Sequence, residues 1–343
     1  MIRGLGFRLP LALALLLAPA APAAAYDVKE IGSYYLGGHM VHVEGLPKQE
    51  VQFSTGAPVA SYDPNGDVET GQMYVQVVRL TAPLATLPLV FFAGAGFSGS
   101  VWESTPDGRP GWQQYFLAHG FDTIVPDAVG RGRSTWSRWP QIYSAAPLFR
   151  TAQEGWALFR IGPHYDSNPA KRQAWPGEQF PVQAWDNLVK QFDPRWTTID
   201  GPTQDAYNAL VQRECPCILI AHSQGAAFAI AAAVRAPDRV RAIVGLEPRF
   251  TPDPAKLDTA KLKGIPMLFI WGDNIDKDPA WENRLANPQK FEAAMRAQGN
   301  RFDWVSLPER GIHGNSHMLM MDRNSEQIAD IVRDWLAQQG FVH

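Results

Sequence analysis

Short apolar runs alternate along the chain with segments whose apolar residues recur every three or four positions. The apolar runs predict buried strands, and they lie at 74–80, 87–94, 121–127, 217–223, 240–248, 265–273 and 302–308. Segment 111–120 predicts a helix that ends at Gly120, and 324–339 predicts an amphipathic helix. Alternating strands and helices are typical of an α/β fold with a mostly parallel central sheet flanked by helices.

Two regions depart from this alternation. Segment 30–45, with the sequence EIGSYYLGGHMVHVEG, predicts a hairpin added to the edge of the sheet. The connection between Asp127 and the strand at 217–223 is nearly 90 residues long, too long for a simple crossover. It holds six of the twelve tryptophans, namely Trp136, Trp139, Trp156, Trp175, Trp185 and Trp196. We therefore expect one domain over 26–343, with an inserted Trp-rich cap at about 135–205.

The N-terminal segment has a composition of its own. Two arginines precede an apolar run at 9–18, and Ala23–Ala25 supplies an A-x-A cleavage pattern. The apolar run is shorter than the ~20 residues that span a bilayer, which disfavours a membrane anchor. Residues 1–25 are predicted to be a signal peptide that is cleaved near Ala25, so the protein is expected to be exported to the periplasm or secreted. No later segment predicts a membrane span.

Charge and composition exclude some partners. Apolar residues make up 45% of the 343 residues and charged residues 19%, which is ordinary for a folded globular protein. The formal net charge is −3, and no dense run of Lys or Arg occurs. We therefore expect neither nucleic acid nor an anionic membrane surface as a partner.

The chain has two cysteines, Cys215 and Cys217, separated by Pro216. They could pair in an oxidising compartment. A disulfide between positions i and i+2 would close a very small ring, close to the limit of disulfide geometry. The sequence therefore favours two small, buried apolar residues at the entrance of a strand. A metal site is not expected, because no second Cys or His pair accompanies them at a suitable spacing.

The stretch CILIAHSQGAAFAIAAAV at 217–234 predicts a buried strand, a tight turn and an Ala-rich helix, with Ser223 in the turn. A nucleophile elbow places a serine between small residues at such a turn. Ala221 replaces the usual first glycine, which is tolerated because that position requires small size. A serine hydroxyl reacts as a nucleophile only when a neighbouring base takes its proton. Ser223 is therefore the candidate nucleophile, and the alternative is a serine that merely joins two core elements.

Two backbone N–H groups are candidate donors to an oxyanion. The helix after Ser223 directs its free N–H groups towards the site, and the N–H of Gln224 is the first of these. The second is expected in the Gly-rich turn of VFFAGAGFSG, where Ala95 is preferred and Gly96 comes next. The alternative is a tight turn that binds no ligand.

The candidate base lies in LPERGIHGNSHMLMMDRNSEQIADIV, which contains His313 and His317. Spacing from the last strand favours His313. Spacing to the final helix favours His317, whose flank HMLM could fix the ring. We prefer His317 as the base and His313 as a structural residue. His222 adjoins the serine, but its side chain is expected to point the opposite way.

The candidate acid is Glu247 or Asp273. Glu247 ends an otherwise apolar strand, and a buried carboxylate there requires a partner. A histidine N–H is a suitable partner, because the carboxylate then orients the ring. The common G-x-x-D frame after the strand at 265–273 places Ile275 at the acid position. We prefer Glu247, with Asp273 capping a loop.

The order Ser223, Glu247, His317 resembles that of the bacterial α/β-hydrolase serine esterases. Most of the chain after residue 25 shares the likeness, in GGHMVHVEGLP, VWESTPDGRPGW, GRGRS, WALFRIGP, AHSQG, LEP, GD and HGNSHMLMMDRN. The resemblance implies an exported serine esterase with the α/β-hydrolase fold, a cap over the site, and an acid after the sixth strand, which supports Glu247. One such esterase has two adjacent cysteines at the oxyanion turn. Here Ala95 and Gly96 stand there, so no disulfide role carries over to that turn.

The expected reaction is cleavage of a carboxylic ester through an acyl-enzyme, with Ser223 attacking, His317 moving the proton and Glu247 orienting the imidazole. No metal or organic cofactor is expected. The Trp-rich insertion suggests a small ester with an apolar or aromatic group, although such residues often form an insertion's own core. A lactonase, amidase or acyltransferase with the same three residues remains open, as does a non-catalytic exported binding protein.

Overall fold

A mixed β-sheet forms the centre of the protein, whose computed structural model describes residues 26–342. The strands are β1 (Val28–Val43), β2 (Gln49–Val51), β3 (Ala60–Tyr62), β4 (Gly66–Leu80), β5 (Leu89–Phe92), β6 (Thr123–Asp127), β7 (Cys217–His222), β8 (Val240–Leu246), β9 (Met267–Trp271) and β10 (Phe302–Ser306). Eight of them form one sheet in the order β1-β4-β6-β5-β7-β8-β9-β10. Neighbouring strands from β6 to β10 are parallel. The predicted mostly parallel sheet is confirmed.

The central strands are buried on both faces. Every residue of β7 is buried, which explains why an unbroken apolar run encodes this strand. Because side chains alternate across a strand, Ile218 and Ile220 belong to the core on one face of the sheet. Leu219 and Ala221 belong to the core on the other face.

Helices cover both faces of the sheet. They are α1 (Ser100–Glu103), α2 (Trp112–Ala118), α3 (Ala152–Leu158), α4 (Trp185–Val189), α5 (Asp200–Glu214), α6 (Gly225–Arg235), α7 (Pro279–Ala297) and α8 (Ser325–Gln338). Helices α1 to α4 and α8 contribute to one core, and α5 to α7 contribute to the other. The helices predicted at 111–120 and 324–339 correspond to α2 and α8.

The predicted edge hairpin consists of two long strands. Segment 30–45 supplies most of β1, which pairs antiparallel with β4 along nearly its whole length, from Val28 opposite Leu80 to Val43 opposite Gly66. The short β2–β3 hairpin lies in the connection between them. Strand β4 then pairs antiparallel with β6, which joins the edge to the parallel part of the sheet.

The aromatic residues of the long insertion between β6 and β7 mostly extend the core on one face of the sheet. Trp156 on α3 and Trp185 on α4 are buried edge to face, with ring centroids 5.2 Å apart. Trp196 packs against Tyr143 in a separate small cluster. Helix α5 already packs on α6 and the sheet, so the boundary expected at about residue 205 falls inside a helix of the main fold.

Cys215 and Cys217 form a disulfide, contrary to the preferred interpretation of the sequence. The chain bends at Pro216. The bend leaves the two Cα atoms 4.4 Å apart, at the lower end of the range that disulfides span. This bend brings the two cysteines together, and their spacing in the sequence does not describe it.

The predicted signal peptide, residues 1–25, lies outside the described residues. Between residues 26 and 342, no helix combines the length and the apolar character that crossing a membrane requires.

Candidate active site

Ser223 lies at the sharp turn between β7 and α6. Its φ of +52° is in the left-handed region, which costs a non-glycine residue about 1–3 kcal/mol. The Ser223 N–H donates to the Leu246 carbonyl at 3.0 Å, which ties the turn to β8. A Cβ at Gly225 would lie 2.5 Å from the Phe92 carbonyl oxygen, so the start of α6 requires glycine. At the other side of the turn, the fully buried Ala221 meets the need for a small residue.

His317 bridges Ser223 and Glu247. Its Nε2 is 3.1 Å from Ser223 Oγ, and its Nδ1 is 3.1 Å from Glu247 Oε2. All three residues are buried, and Ser223 is the most exposed of them at 5%. Because an ionised carboxylate only accepts hydrogen bonds, Nδ1 carries the proton and Nε2 accepts from the serine hydroxyl. The three residues therefore have the geometry of a Ser–His–acid triad.

The Glu247 carboxylate is held by a buried arginine from the insertion. Arg160 donates from Nη1 to Oε2 at 2.9 Å and from Nη2 to Oε1 at 2.7 Å. Its Nε donates to the Asp273 carbonyl at 2.8 Å, and the Gly272 N–H donates to Glu247 Oε1 at 2.5 Å. The sequence analysis missed Arg160, although it lies in the stretch WALFRIGP. The available signal was the charge balance, because a buried carboxylate requires a cation nearby.

Burial and charge set the protonation states of this site. Burial alone would raise the pKa of Glu247, but Arg160 and His317 bring it down to about 2. Burial lowers the pKa of His317 to about 4, because Glu247 only partly offsets it and the positive charge of Arg160 adds to it. At neutral pH Glu247 is ionised and the His317 imidazole is neutral, as a general base must be.

A buried carboxylate fixes the loop that carries His317. Asp322 accepts from the N–H and the hydroxyl of Ser316, at 2.9 and 2.7 Å, and from the Asn315 side chain at 2.9 Å. Burial raises the pKa of Asp322 to about 6, although these hydrogen bonds oppose the change. The His317 N–H donates to the Phe159 carbonyl at 2.9 Å, which attaches the loop to the insertion.

Three rings surround the His317 imidazole. Phe159 stacks on it with centroids 5.8 Å apart, and Trp281 is 4.8 Å away on a tilted plane. The third ring is His222, at 4.7 Å, whose Nε2–H donates to the His317 carbonyl at 2.9 Å. Burial keeps the pKa of His222 well below its usual value, so this ring stays neutral. His222 therefore supports the backbone of His317 and makes no hydrogen bond to Ser223.

The turn after β5 is linked to the start of α6 by Arg131. This buried side chain donates from Nη1 to the Gly94 carbonyl at 3.0 Å and from Nη2 to Gln224 Oε1 at 2.9 Å. The N–H groups of Ala95 and Gln224 meet no acceptor within residues 26–342. Arg131 lies in the stretch GRGRS, for which no role at the site was predicted from the sequence, so this link was missed.

The chain is similar to known hydrolytic enzymes. A bacterial esterase whose structure is solved is 34% identical, and the match covers 94% of this chain and 99% of that chain with a TM-score of 0.79. The chain belongs to the esterases of the α/β-hydrolase fold. A probable secreted lipase of a fungal species (strain ATCC 74256) is 28% identical, and the match covers 80% of this chain and 88% of that protein. No family model matches. The resemblance inferred from the motifs is confirmed, and the protein is a carboxylic ester hydrolase.

Asp273 and His313, the alternative candidates for the acid and the base, lie apart from Ser223. Asp273 accepts from the Gly314 N–H at 2.8 Å and the Asn274 N–H at 2.7 Å, which makes it a loop cap. His313 Nδ1 is 3.3 Å from Asp273 Oδ2, and the His313 side chain is 65% exposed. The pair thus forms an outer contact that does not reach Ser223.

Backbone strain is concentrated at the site of the esterase. Within residues 26–342, five non-glycine residues have positive φ. Three of them are Arg160, Ser223 and Glu247, at +60°, +52° and +50°. Such strain persists only where the surrounding structure fixes it, and functional sites are where it accumulates.

Proposed function

We propose that the protein hydrolyses carboxylic esters through an acyl-enzyme formed on Ser223. The Ser223 oxygen attacks the ester carbonyl carbon while His317 Nε2 takes the hydroxyl proton. The resulting imidazolium is stabilised by Glu247, which accepts from Nδ1. His317 then gives its proton to the alcohol oxygen as the carbon–oxygen bond breaks. The observation that carries the proposal is the unbroken hydrogen-bond chain from Ser223 through His317 to Glu247.

The tetrahedral intermediate places negative charge on the former carbonyl oxygen. The N–H groups of Ala95 and Gln224 are proposed to donate to it, since no acceptor within residues 26–342 engages them. Removing one such donor costs about 3–4 kcal/mol of transition-state stabilisation where it has been measured. Arg131 acts indirectly, by fixing the distance between the two donors. Water attacks the acyl-enzyme in the second half of the reaction, with His317 again as the base. The acyl–oxygen bond to Ser223 then breaks, His317 returns the proton to Ser223 Oγ, and the carboxylic acid leaves.

The Trp-rich insertion is proposed to act as a cap over the site. In support, the insertion contributes Phe159 against His317 and Arg160 against Glu247. We propose a small ester with an apolar or aromatic group as the substrate, since aromatic rings flank the imidazole. We also propose export after cleavage near Ala25, supported by the N-terminal pattern and by a relative named as a secreted lipase.

Kinetics with and without the serine hydroxyl test the proposal. Phenyl valerate hydrolysis is expected to fall at least about 1000-fold in Ser223→Ala, because nucleophilic catalysis is lost while binding remains. Phenyl valeramide and δ-valerolactone, assayed alongside, separate esterase from amidase and lactonase activity. Retention of wild-type ester hydrolysis by Ser223→Ala would overturn the proposed function.

A further inference from the structure

A cluster of four arginines lies beside the site and has no part in the mechanism above. Its members are Arg150, Arg195, Arg249 and Arg284. Its most buried member is Arg150, whose side chain is 3% exposed. The Nε and Nη1 atoms of Arg150 have no hydrogen-bond acceptor within residues 26–342. The nearest carboxylate oxygen to Nε, from Glu154, is 3.8 Å away, beyond hydrogen-bond distance. A buried guanidinium with free donors is costly, so it requires a function or a ligand.

Arg150 is directed towards the catalytic residues. Its guanidinium lies over the rings of Phe159, Phe192 and Phe97, 5.0 to 5.6 Å from their centroids. Phe159 is the ring that stacks on His317. Arg150 Nη1 is also 3.4 Å from the position that a Cβ on Gly96 would occupy, in the turn that carries the proposed oxyanion donor. The free donors therefore lie one aromatic ring away from the triad.

Further arginines extend the positive charge into a cavity of about 300 Å³. Arg195, Arg249 and Arg284 line it, together with Glu154 and Asp278. Arg195 binds both oxygens of Glu154, at 2.7 and 3.0 Å, while Arg284 is 3.8 Å from Asp278. With Arg150, four positive charges face two negative ones, so the cluster carries an excess of positive charge.

Arg249 lines this cavity and also lies near an aromatic ring of the site. It follows Glu247 by two residues, and its Nε is buried without an acceptor within the described chain. Its guanidinium lies 5.9 Å from the Trp281 ring, which in turn contacts His317. Burial lowers the pKa of Arg249 to about 10, with Arg284 adding to the effect, so the group remains charged at neutral pH. Two arginines with free donors thus each contact an aromatic ring that packs against the imidazole.

We infer that Arg150 and Arg249 form a subsite for a carboxylate on the ester substrate. This inference rests on the proposed function and names its substrate class, an ester that carries a free carboxylate as well as the scissile ester group. Guanidinium donors suit a carboxylate, because their planar fork matches its two oxygens. The apolar rings under Arg150 accommodate the carbon chain between the carboxylate and the ester.

Paired substrates test the inference. Monophenyl glutarate and phenyl valerate have the same acyl length and release the same phenol, but only the first carries a carboxylate on the acyl side. 4-Carboxyphenyl valerate carries it on the alcohol side. For the wild type we expect a higher kcat/KM for at least one anionic ester than for phenyl valerate, mainly because KM is lower for the anionic ester. In Arg150→Met we expect that preference to fall about tenfold to hundredfold, because a charge-assisted hydrogen bond is lost.

Two further arginine variants and one control accompany this measurement. Arg249→Met is expected to reduce the same preference, and Arg150→Lys is expected to retain part of it. Arg241→Met is the matched control, because Arg241 is exposed near the amino end of β8, whereas Glu247 follows the carboxyl end. It removes the same charge and is expected to leave the preference unchanged. Circular dichroism of each variant establishes that it is folded.

Binding provides a readout that does not depend on turnover. Calorimetric titration of Ser223→Ala with monophenyl glutarate and with 4-carboxyphenyl valerate is expected to show binding of the preferred anionic ester. Adding Arg150→Met to Ser223→Ala is expected to weaken this binding by a factor similar to the loss of kinetic preference. The inference is overturned if the wild type prefers the neutral ester in both comparisons, or if the preference survives in both Arg150→Met and Arg249→Met. Failure to hydrolyse any of the three esters would instead overturn the proposed function, and the titration would still decide whether the subsite exists.

Discussion

Replacing Arg160 by methionine tests how the catalytic acid is held. The change removes both guanidinium donors, at 2.9 and 2.7 Å, from a carboxylate with no solvent exposure. Breaking a buried ion pair in this way costs about 3–5 kcal/mol of unfolding free energy, because the remaining charge is uncompensated. Glu247 keeps only the Gly272 N–H and His317 as donors, so its carboxylate becomes less well fixed. We expect kcat/KM at pH 7 to fall about tenfold to hundredfold, the value of one charge-assisted hydrogen bond.

The pH dependence gives the sharper result, because two effects act in the same direction. Without the positive charge of Arg160, protonation of His317 is less opposed, so the pKa of His317 rises from about 4. The pKa of Glu247 also rises from about 2, because burial is no longer offset. Protonation of either residue stops catalysis as the pH falls. The acid limb of kcat/KM, expected to follow the His317 pKa of about 4 in the wild type, is therefore expected to move to higher pH in Arg160→Met.

The unfolding free energy also depends on pH through Glu247. A carboxyl group with a lowered pKa in the folded state stabilises the protein above its unfolded pKa, here near 4.5, and that contribution is lost as the pH falls towards 2. In Arg160→Met this contribution is expected to be smaller and to be fully lost at a higher pH, because the folded pKa of Glu247 rises towards its unfolded value.

The assay combines pH–rate profiles for phenyl valerate with urea unfolding from pH 8 down to about pH 2.5, which covers the window between the two pKa values of Glu247. Arg333→Met is the matched control, since Arg333 pairs with Asp330 and Asp334 at the surface and is expected to contribute at most about 1 kcal/mol. Arg160→Lys is expected to recover part of the stability. An acid limb that stays in place or moves to lower pH in a folded Arg160→Met protein would refute the reasoning.

Three more substitutions test the choice of the catalytic acid and the packing of the turn after β7. In phenyl valerate kinetics, Glu247→Gln is expected to reduce kcat at least about 100-fold, because its side chain can no longer stabilise the imidazolium. Asp273→Asn is expected to retain most activity. A larger loss at Asp273 than at Glu247 would reverse the choice of acid. Gly225→Val is expected to destabilise the protein by about 2 kcal/mol or more, because its Cβ would lie 2.5 Å from the Phe92 carbonyl oxygen. An unchanged melting temperature by differential scanning fluorimetry would contradict the close approach of α6 and β5.

The sheet was predictable because apolar runs encode its strands, and the proximity of Ser223 and Glu247 was predictable because each follows such a strand. Ser223 and Glu247 come directly after β7 and β8, whose apolar runs are unmistakable. Parallel strands bring their carboxyl ends to one edge, so two such residues must lie near each other. His317 required a choice between two histidines, and spacing to α8 favoured the one that the structure places against Ser223.

The supporting arginines were not predictable from local pattern. Arg160 comes from the insertion, whose path over the sheet depends on how Trp156 and Trp185 pack, and no sequence periodicity encodes that path. Arg131 connects two turns that are distant in sequence. The disulfide was missed for a related reason: the bend at Pro216 decides whether two nearby cysteines can meet, and spacing alone does not describe it.

The central claim is that Ser223 is the nucleophile, and mass spectrometry of a trapped adduct tests it most directly. The wild-type protein, incubated with a fluorophosphonate ester, is expected to gain one phosphonyl group, and peptide mapping is expected to place it on Ser223. His317→Ala is expected to react far more slowly, because the base that activates the serine is missing. An unmodified protein, or a label on any residue other than Ser223, would contradict the account.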